Sequence, residues 1–198
     1  MRVLTRPLGA VLHRVRIAVK GCAYSGLARQ RWQHPERVLE ALAPASGARV
    51  ADLGAGAGYF TVRLARRVGP EGRVYAVDTD PDMTAAITRR AEGAGLRNVA
   101  VVEALPHDPG LPEPVDLALL VNALHHLPEP DDYLARLTEY VRPGGQVAVI
   151  EALPAWFLFG HATEPERIRS LLIGAGYALV AEHEFLPRQS FLVFERGA

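Results

Sequence analysis

Short apolar runs alternate with longer segments of helical periodicity along most of the chain, and the alternation predicts the fold before any single residue is considered. Arg49 to Leu53 reads as a buried strand, followed by a glycine turn and a helix from about Tyr59 to Val68. Arg73 to Asp78 reads as a second strand, and Pro81 opens a helix running to about Ala94. Val99 to Glu103 and Val115 to Val121 supply the third and fourth strands. A helix from Pro130 to Val141, stopped by Pro143-Gly144-Gly145, precedes a fifth strand from Gln146 to Glu151. Such alternation predicts an α/β fold, a largely parallel, doubly wound sheet covered on both faces.

The tail is of a different kind. Glu164 to Ala175 reads as a helix, and Tyr177 to Phe185 and Gln189 to Glu195 read as two strands joined by Leu186-Pro187-Arg188. That spacing predicts a terminal antiparallel hairpin, with Pro187 outside its central ladder. At the other end, Leu4, Leu8, Val11, Leu12, Val15 and Val19 recur at helical spacing, so Pro7 to Lys20 can form one apolar and one basic face. Residues 1–35 are expected to form an accessory or lid segment, docked on the body or lying on a membrane surface, and residues 36–198 one catalytic domain.

Composition narrows the function classes. The chain has 22 basic and 22 acidic residues, but the first 35 residues carry seven of the basic ones and no acid, so the body is mildly acidic. This offers no dedicated nucleic-acid-binding domain. The lone Cys22 permits no intrachain disulfide and no cysteine metal cluster, and no metal site is expected. Without a continuous apolar span, the expectation is a cytoplasmic protein with at most weak membrane contact through its N-terminus.

The stretch VADLGAGAGYFT, Val50 to Thr61, carries the main chemical clue. Three glycines at alternate positions between strand and helix leave the backbone bare for close approach by a ligand. A nicotinamide dinucleotide is one candidate, but its fingerprint runs G-x-G-x-x-G, and here Tyr59 stands where the third glycine belongs. Asp52 can cap the turn or meet a cation. Asp78, at the end of the second strand, can accept both hydroxyl hydrogens of a ribose. Tyr59 can offer a π face to positive charge or pack the helix against the sheet.

Read together, VADLGAGAGYFT, VYAVDTDPDM, VVEAL, LALLVNALHHL and VRPGGQVAVIE resemble, in order and spacing, the motifs of class I S-adenosylmethionine-dependent methyltransferases of the small-molecule type. The resemblance covers about Tyr24 to Glu195. It implies a seven-stranded Rossmann-like sheet with its last strand reversed, and methyl transfer from S-adenosylmethionine to a small-molecule acceptor by in-line displacement. It further implies Gly54, Gly56 and Gly58 around the methionyl part, Asp52 near its ammonium, Asp78 on the ribose, Met83 and Glu103 at the adenine, and Asn122 near the methyl-transfer end. An RNA or protein methyltransferase and a non-catalytic S-adenosylmethionine-binding regulator are the alternatives. No Asn-Pro-Pro-Tyr-like or Pro-Cys motif marks base methylation.

His125 and His126 adjoin the expected acceptor edge, where either can act as a general base or belong to a structural turn. Trp156, Phe157, Phe159 and His161, with Tyr24 and Trp32 nearer the N-terminus, can enclose an apolar acceptor or fill the core. Arg188 and Gln189, before the last strand, are expected to solvate the turn and hydrogen-bond within the hairpin.

Overall fold

The computed structural model describes residues 27–153 and 162–197. Two short helices, α1 (Leu27–Gln33) and α2 (Pro35–Leu42), precede β1 (Arg49–Leu53), α3 (Thr61–Val68) and β2 (Arg73–Asp78). The chain continues through α4 (Pro81–Gly93), β3 (Val99–Glu103), β4 (Val115–Val121), a 3-10 turn (Leu124–His126), α5 (Pro130–Tyr140) and β5 (Val141–Ala152). It closes with α6 (Pro165–Gly174), β6 (Tyr177–Glu182) and β7 (Gln189–Arg196).

The strands form one seven-stranded sheet in the order β3-β2-β1-β4-β5-β7-β6. The first five run parallel, and β7 pairs antiparallel with both β5 and β6. The expected Rossmann-like sheet and terminal hairpin are therefore both present. The strand order reverses between β1 and β4, the place where ligands settle at the carboxyl ends of such sheets.

Alternation along the strands divides the core. Ala51, Leu53, Ala118 and Leu120 face α5 and α6 through Leu134, Leu137, Ile168 and Leu172. Val50, Leu117, Leu119 and Ile150 face α2 and α3 through Val38, Leu39, Leu64 and Val68. Both faces of the central strands are buried, which explains why they read as nearly continuous apolar runs.

The sequence and structure differ at several element ends. The fifth strand begins at Val141 rather than Gln146, because Val141 already pairs with Val115 and the Pro143-Gly144-Gly145 run bulges out before Leu117 meets Gln146. Proline lacks a ladder N–H and Gly144 has φ 73°, so the run interrupts pairing without ending the strand. Tyr59 and Phe60 lie in the turn before α3, and β6 stops at Glu182. The apolar and basic stripe from Pro7 to Lys20 lies outside the described residues, as do Tyr24, Trp156, Phe157, Phe159 and His161.

Candidate active site

The glycine turn closes the carboxyl end of β1. Gly54 and Gly56 have φ of 68° and 54°, values that side-chain-bearing residues rarely adopt. Their environments differ. A Cβ on Gly54 would lie 2.6 Å from Cβ of Ala123, so glycine there lets the turn pack on the end of β4. A Cβ on Gly56 would meet nothing within 4 Å, leaving an open face over the backbone. The turn is braced by Ala55 N–H on the Val77 carbonyl at 2.9 Å and by Arg90 Nη1 donating to the Ala57 carbonyl at 2.7 Å.

Asp78 sits beside that open face at the end of β2. Its Oδ2 accepts from Gly56 N–H at 2.8 Å and its Oδ1 from Asp80 N–H at 3.0 Å. Each oxygen keeps acceptor capacity for an incoming hydroxyl, in an orientation fixed by the backbone. Glu103 lies across the ladder from Asp78 and is exposed, and Met83 is half-buried on the first turn of α4. These three side chains thus stand at adjacent strand ends or just beyond them.

Asp52 is nearly inaccessible and accepts from Thr61 Oγ1 at 2.6 Å. Burial raises its pKa from 3.8 to about 6, against the Thr61 hydrogen bond and the positive charge of Arg29, while Asp78 adds a smaller upward push. A carboxylate so desolvated gains from a further cation beside it. Tyr59, by contrast, already serves two cations: the guanidinium carbons of Arg29 and Arg63 each lie 4.1 Å from its ring centroid. Its buried hydroxyl has no partner among the described residues.

The side of this edge expected to face the acceptor is built around β4, β5 and β7. Asn122, immediately after β4, adopts φ 52°, and its N–H donates to the Ile150 carbonyl at 2.8 Å. Its side-chain Oδ1 accepts from Gln189 Nε2 at 2.9 Å, and Gln189 Oε1 accepts from Gln33 Nε2, also at 2.9 Å. Gln33 Oε1 in turn accepts from Arg29 Nε. Arg29, Gln33 and Gln189 are all buried. The body of the domain thus incorporates α1 residues from the segment expected to be accessory, while Trp32 on the same helix is half-buried.

His125 and His126 occupy the 3-10 turn after Asn122, with ring centroids 4.1 Å apart. His125 Nδ1 lies 2.6 Å from Oε2 of the fully buried Glu151, whose Oε1 accepts from Leu124 N–H at 2.8 Å. A carboxylate here accepts from Nδ1–H, which leaves Nε2 on the opposite side of the ring. His125 also lines a cleft of about 200 Å³ between the 3-10 turn, α5 and α6, together with Thr163 and Arg167. Neither Asp52, Asp78 nor the glycines border it. His126 is exposed.

Sequence reasoning did not pick out Gln33, Thr61 or Glu151, and it placed Gln189 in a solvated turn. Glutamine carries no chemical signature, and nothing in the local pattern announces a partner 156 positions away. Glu151 offered one clue, an acid ending an otherwise apolar strand. Among the described residues no group of histidine, cysteine, aspartate and glutamate has the makings of a metal site, and no helix is long and apolar enough to cross a membrane.

The open backbone at Gly56, the braced Asp78 and the buried Asp52 together suit a ligand with a cationic amine and a vicinal diol, the two polar ends of S-adenosylmethionine. Comparison with known proteins agrees with that geometry. Residues 50–145 match the family model described as a methyltransferase domain. A protein-L-isoaspartate O-methyltransferase of Aeropyrum pernix is 35% identical over 57% of this chain and 42% of its own length. An aklanonic acid methyltransferase of a Streptomyces species is 31% identical over 57% of this chain and 51% of its own. The chain thus spans about half the length of these curated relatives. A crystal structure of a SAM-dependent methyltransferase from Aquifex aeolicus superposes with TM-score 0.78 and 25% identity, covering 89% of this chain and 97% of that one. By its sheet, its glycine turn and these matches, the chain carries over residues 50–145 a match to a methyltransferase domain, in the Rossmann-like fold of the class I S-adenosylmethionine-dependent methyltransferases.

Proposed function

We propose that this chain methylates a small acceptor that enters over the ends of β4 and β5. The observation that carries the reading is Asp78, whose two oxygens are aimed by the N–H groups of Gly56 and Asp80 beside a backbone that no described side chain covers. In this reading Asp78 accepts the ribose hydroxyls, Met83 and Glu103 flank the adenine, and Gly54, Gly56 and Gly58 shape the methionyl channel. Asp52, costly to ionise in its buried position, gains its counter-charge from the ammonium. Tyr59 stands one step behind, holding Arg29 and Arg63 rather than meeting the ligand directly. When bound, S-adenosylmethionine supplies an electrophilic methyl group on a sulfonium.

What remains for the protein is positioning, since an in-line displacement is accelerated chiefly by holding its partners aligned. Asn122 lies at the acceptor end, next to Ala123 against which Gly54 packs. The Glu151–His125 pair holds the turn that follows it and thereby acts as a positioning device. His125 Nε2 and His126 are the candidate bases if the acceptor must lose a proton. The aklanonic acid relative is named for a small acid, while the isoaspartate relative is named for a protein substrate.

The test is a reaction of the full chain with methyl-labelled S-adenosylmethionine and a small-molecule extract, followed by mass spectrometry. A small compound gaining one labelled methyl group, and not doing so with Asp78→Ala, is the expected result. Labelled protein or RNA in its place would move the chain to a different acceptor class. No labelled product from a protein that binds the cofactor would leave a binding role only.

A further inference from the structure

The buried relay from α1 to Asn122 has a direction that chemistry alone fixes. Arginine has five N–H donors and no acceptor, so the Gln33 atom facing Arg29 Nε must be the carbonyl oxygen. Gln33 therefore turns its amino group toward Gln189, and donates to Oε1 at 2.9 Å. With that oxygen used, Gln189 turns its own amino group toward Asn122 and donates to Oδ1 at 2.9 Å. Every amide in the series is set by the one before it. A flip of Gln33 or Gln189 would face donor to donor and acceptor to acceptor at two contacts, and a flip of Asn122 would face donor to donor at one, each costing a lost hydrogen bond and a desolvated group.

Asn122 is the last member, and its Oδ1 is occupied. Its Nδ2 amino group donates to no described residue. The backbone at Asn122 is fixed as well, by the left-handed φ of 52° and the N–H bond to Ile150. We infer that the Arg29–Gln33–Gln189 relay makes Asn122 an obligate hydrogen-bond donor at the acceptor end, so that the acceptor is recognised through a lone pair, such as that of a carbonyl or oxyanion, rather than through an N–H or O–H hydrogen. The inference rests on the proposed placement of the acceptor beside Asn122. Gln33 and Gln189 are then positioning residues that select the acceptor class from behind, without touching it.

The relay also explains burial that packing does not require. Gln33 and Gln189 come from α1 and β7, elements separated by nearly the whole chain, and both side chains are removed from water. Buried amides are tolerated when satisfied, and a satisfied network defines one arrangement of its members. Here that arrangement exposes a donor. Gln189→Glu reverses the last link: a carboxylate only accepts, so Asn122 must turn its Nδ2 inward and present Oδ1 instead.

Side-chain amide NMR on the protein saturated with S-adenosylhomocysteine reads this directly. Wild type should show a through-hydrogen-bond coupling from Gln189 Nε2 to the Asn122 side-chain carbonyl carbon and none in the opposite sense. Dimethyl sulfoxide, a neutral acceptor-only probe, should shift the Asn122 amino signals at concentrations about tenfold below those needed by pyrrole, a neutral donor-only probe. Asn122→Asp, which keeps the oxygen for Gln189 and removes the outward donor, should abolish the preference and serves where Gln189→Glu does not fold. Coupling in the opposite sense, equal response to the two probes, or no response to either would overturn the inference. Consumption of the Asn122 amino group by S-adenosylhomocysteine alone, with no further response to dimethyl sulfoxide, would overturn it too. Failure of S-adenosylhomocysteine to bind at all would instead sink the placement of the cofactor on which the inference rests.

Discussion

The two halves of the ligand edge are built differently. On the cofactor side, polar groups meet over short stretches of chain: Thr61 reaches Asp52 across nine positions and Gly56 reaches Asp78 across 22. On the acceptor side, Gln189 reaches Asn122 across 67 positions and Gln33 across 156. The cofactor half leaves Asp78 half-exposed and Glu103 exposed beside the buried Asp52, while the acceptor half buries Gln33 and Gln189 behind the Asn122 amide and Glu151 behind the 3-10 turn. A constant ligand can be met by a local motif. In the proposed reading, the chemistry of a variable partner is set by long-range contacts that hold a few side chains from behind.

Removing Glu151 should damage the acceptor half most. Glu151→Ala leaves Leu124 N–H and His125 Nδ1 without their buried acceptor, and about 3 to 5 kcal/mol of stability should disappear in denaturant unfolding. Glu151→Gln, which retains one acceptor oxygen, should recover part of that loss. Cofactor affinity in whatever fraction remains folded should change much less than stability. A comparable loss of affinity would mean the two halves are not separable.

Asp52 gives the cofactor half a pH dependence. Its pKa rises from 3.8 to about 6 on folding, so the folded state binds the extra proton between those values. The ligand-free protein therefore bears the full ionisation penalty above pH 6, and that penalty fades as pH falls toward 4. At 1.36 kcal/mol per unit it amounts to about 3 kcal/mol at most. Binding of the cofactor's ammonium favours the ionised form, so affinity should strengthen as pH rises through 6 and then level off. Asp52→Asn should flatten that dependence in calorimetric titrations between pH 5 and 8, and raise the stability of the ligand-free protein at the upper end. A slope that persists in Asp52→Asn would assign it to another group.

The glycines offer a smaller contrast within the turn. Gly54→Ala combines an unfavourable φ with a 2.6 Å approach to Ala123 and should cost about 2 to 3 kcal/mol of stability. Gly56→Ala meets no neighbour and should cost only about 1 to 2 kcal/mol, from its backbone angle. Its larger effect should fall on cofactor affinity, because the new methyl group stands on the open face. Thermal unfolding and calorimetry on the two variants would separate packing from ligand approach, and equal effects on both readouts would erase the distinction.

The same contrast explains what the sequence disclosed. Strands, their parallel order and the reversed hairpin follow from apolar periodicity and turn residues, which act over a few positions. Asp52, Gly56 and Asp78 were legible because the chemistry of a strand-end carboxylate and a bare turn is local. The start of the fifth strand was read five residues late because Pro143-Gly144-Gly145, ordinarily a stop, is here a bulge inside a strand already paired at Val141. Gln189 was read as a turn residue beside Pro187 and Arg188, although its side chain is buried between Gln33 and Asn122. Its role depends on α1 returning to the opposite end of the sequence, a tertiary event that no local spacing encodes.

The most direct test of the account is a calorimetric titration of S-adenosylmethionine into folded wild type and Asp78→Ala. The wild type should bind one equivalent, and the variant should lose about 2 to 4 kcal/mol, roughly 30- to 1000-fold in affinity, with the removal of two charge-assisted hydrogen bonds. Equal affinities in the two proteins would contradict the placement of the ligand beside Gly56 and Asp78, and absence of binding to the wild type would contradict the cofactor site as a whole.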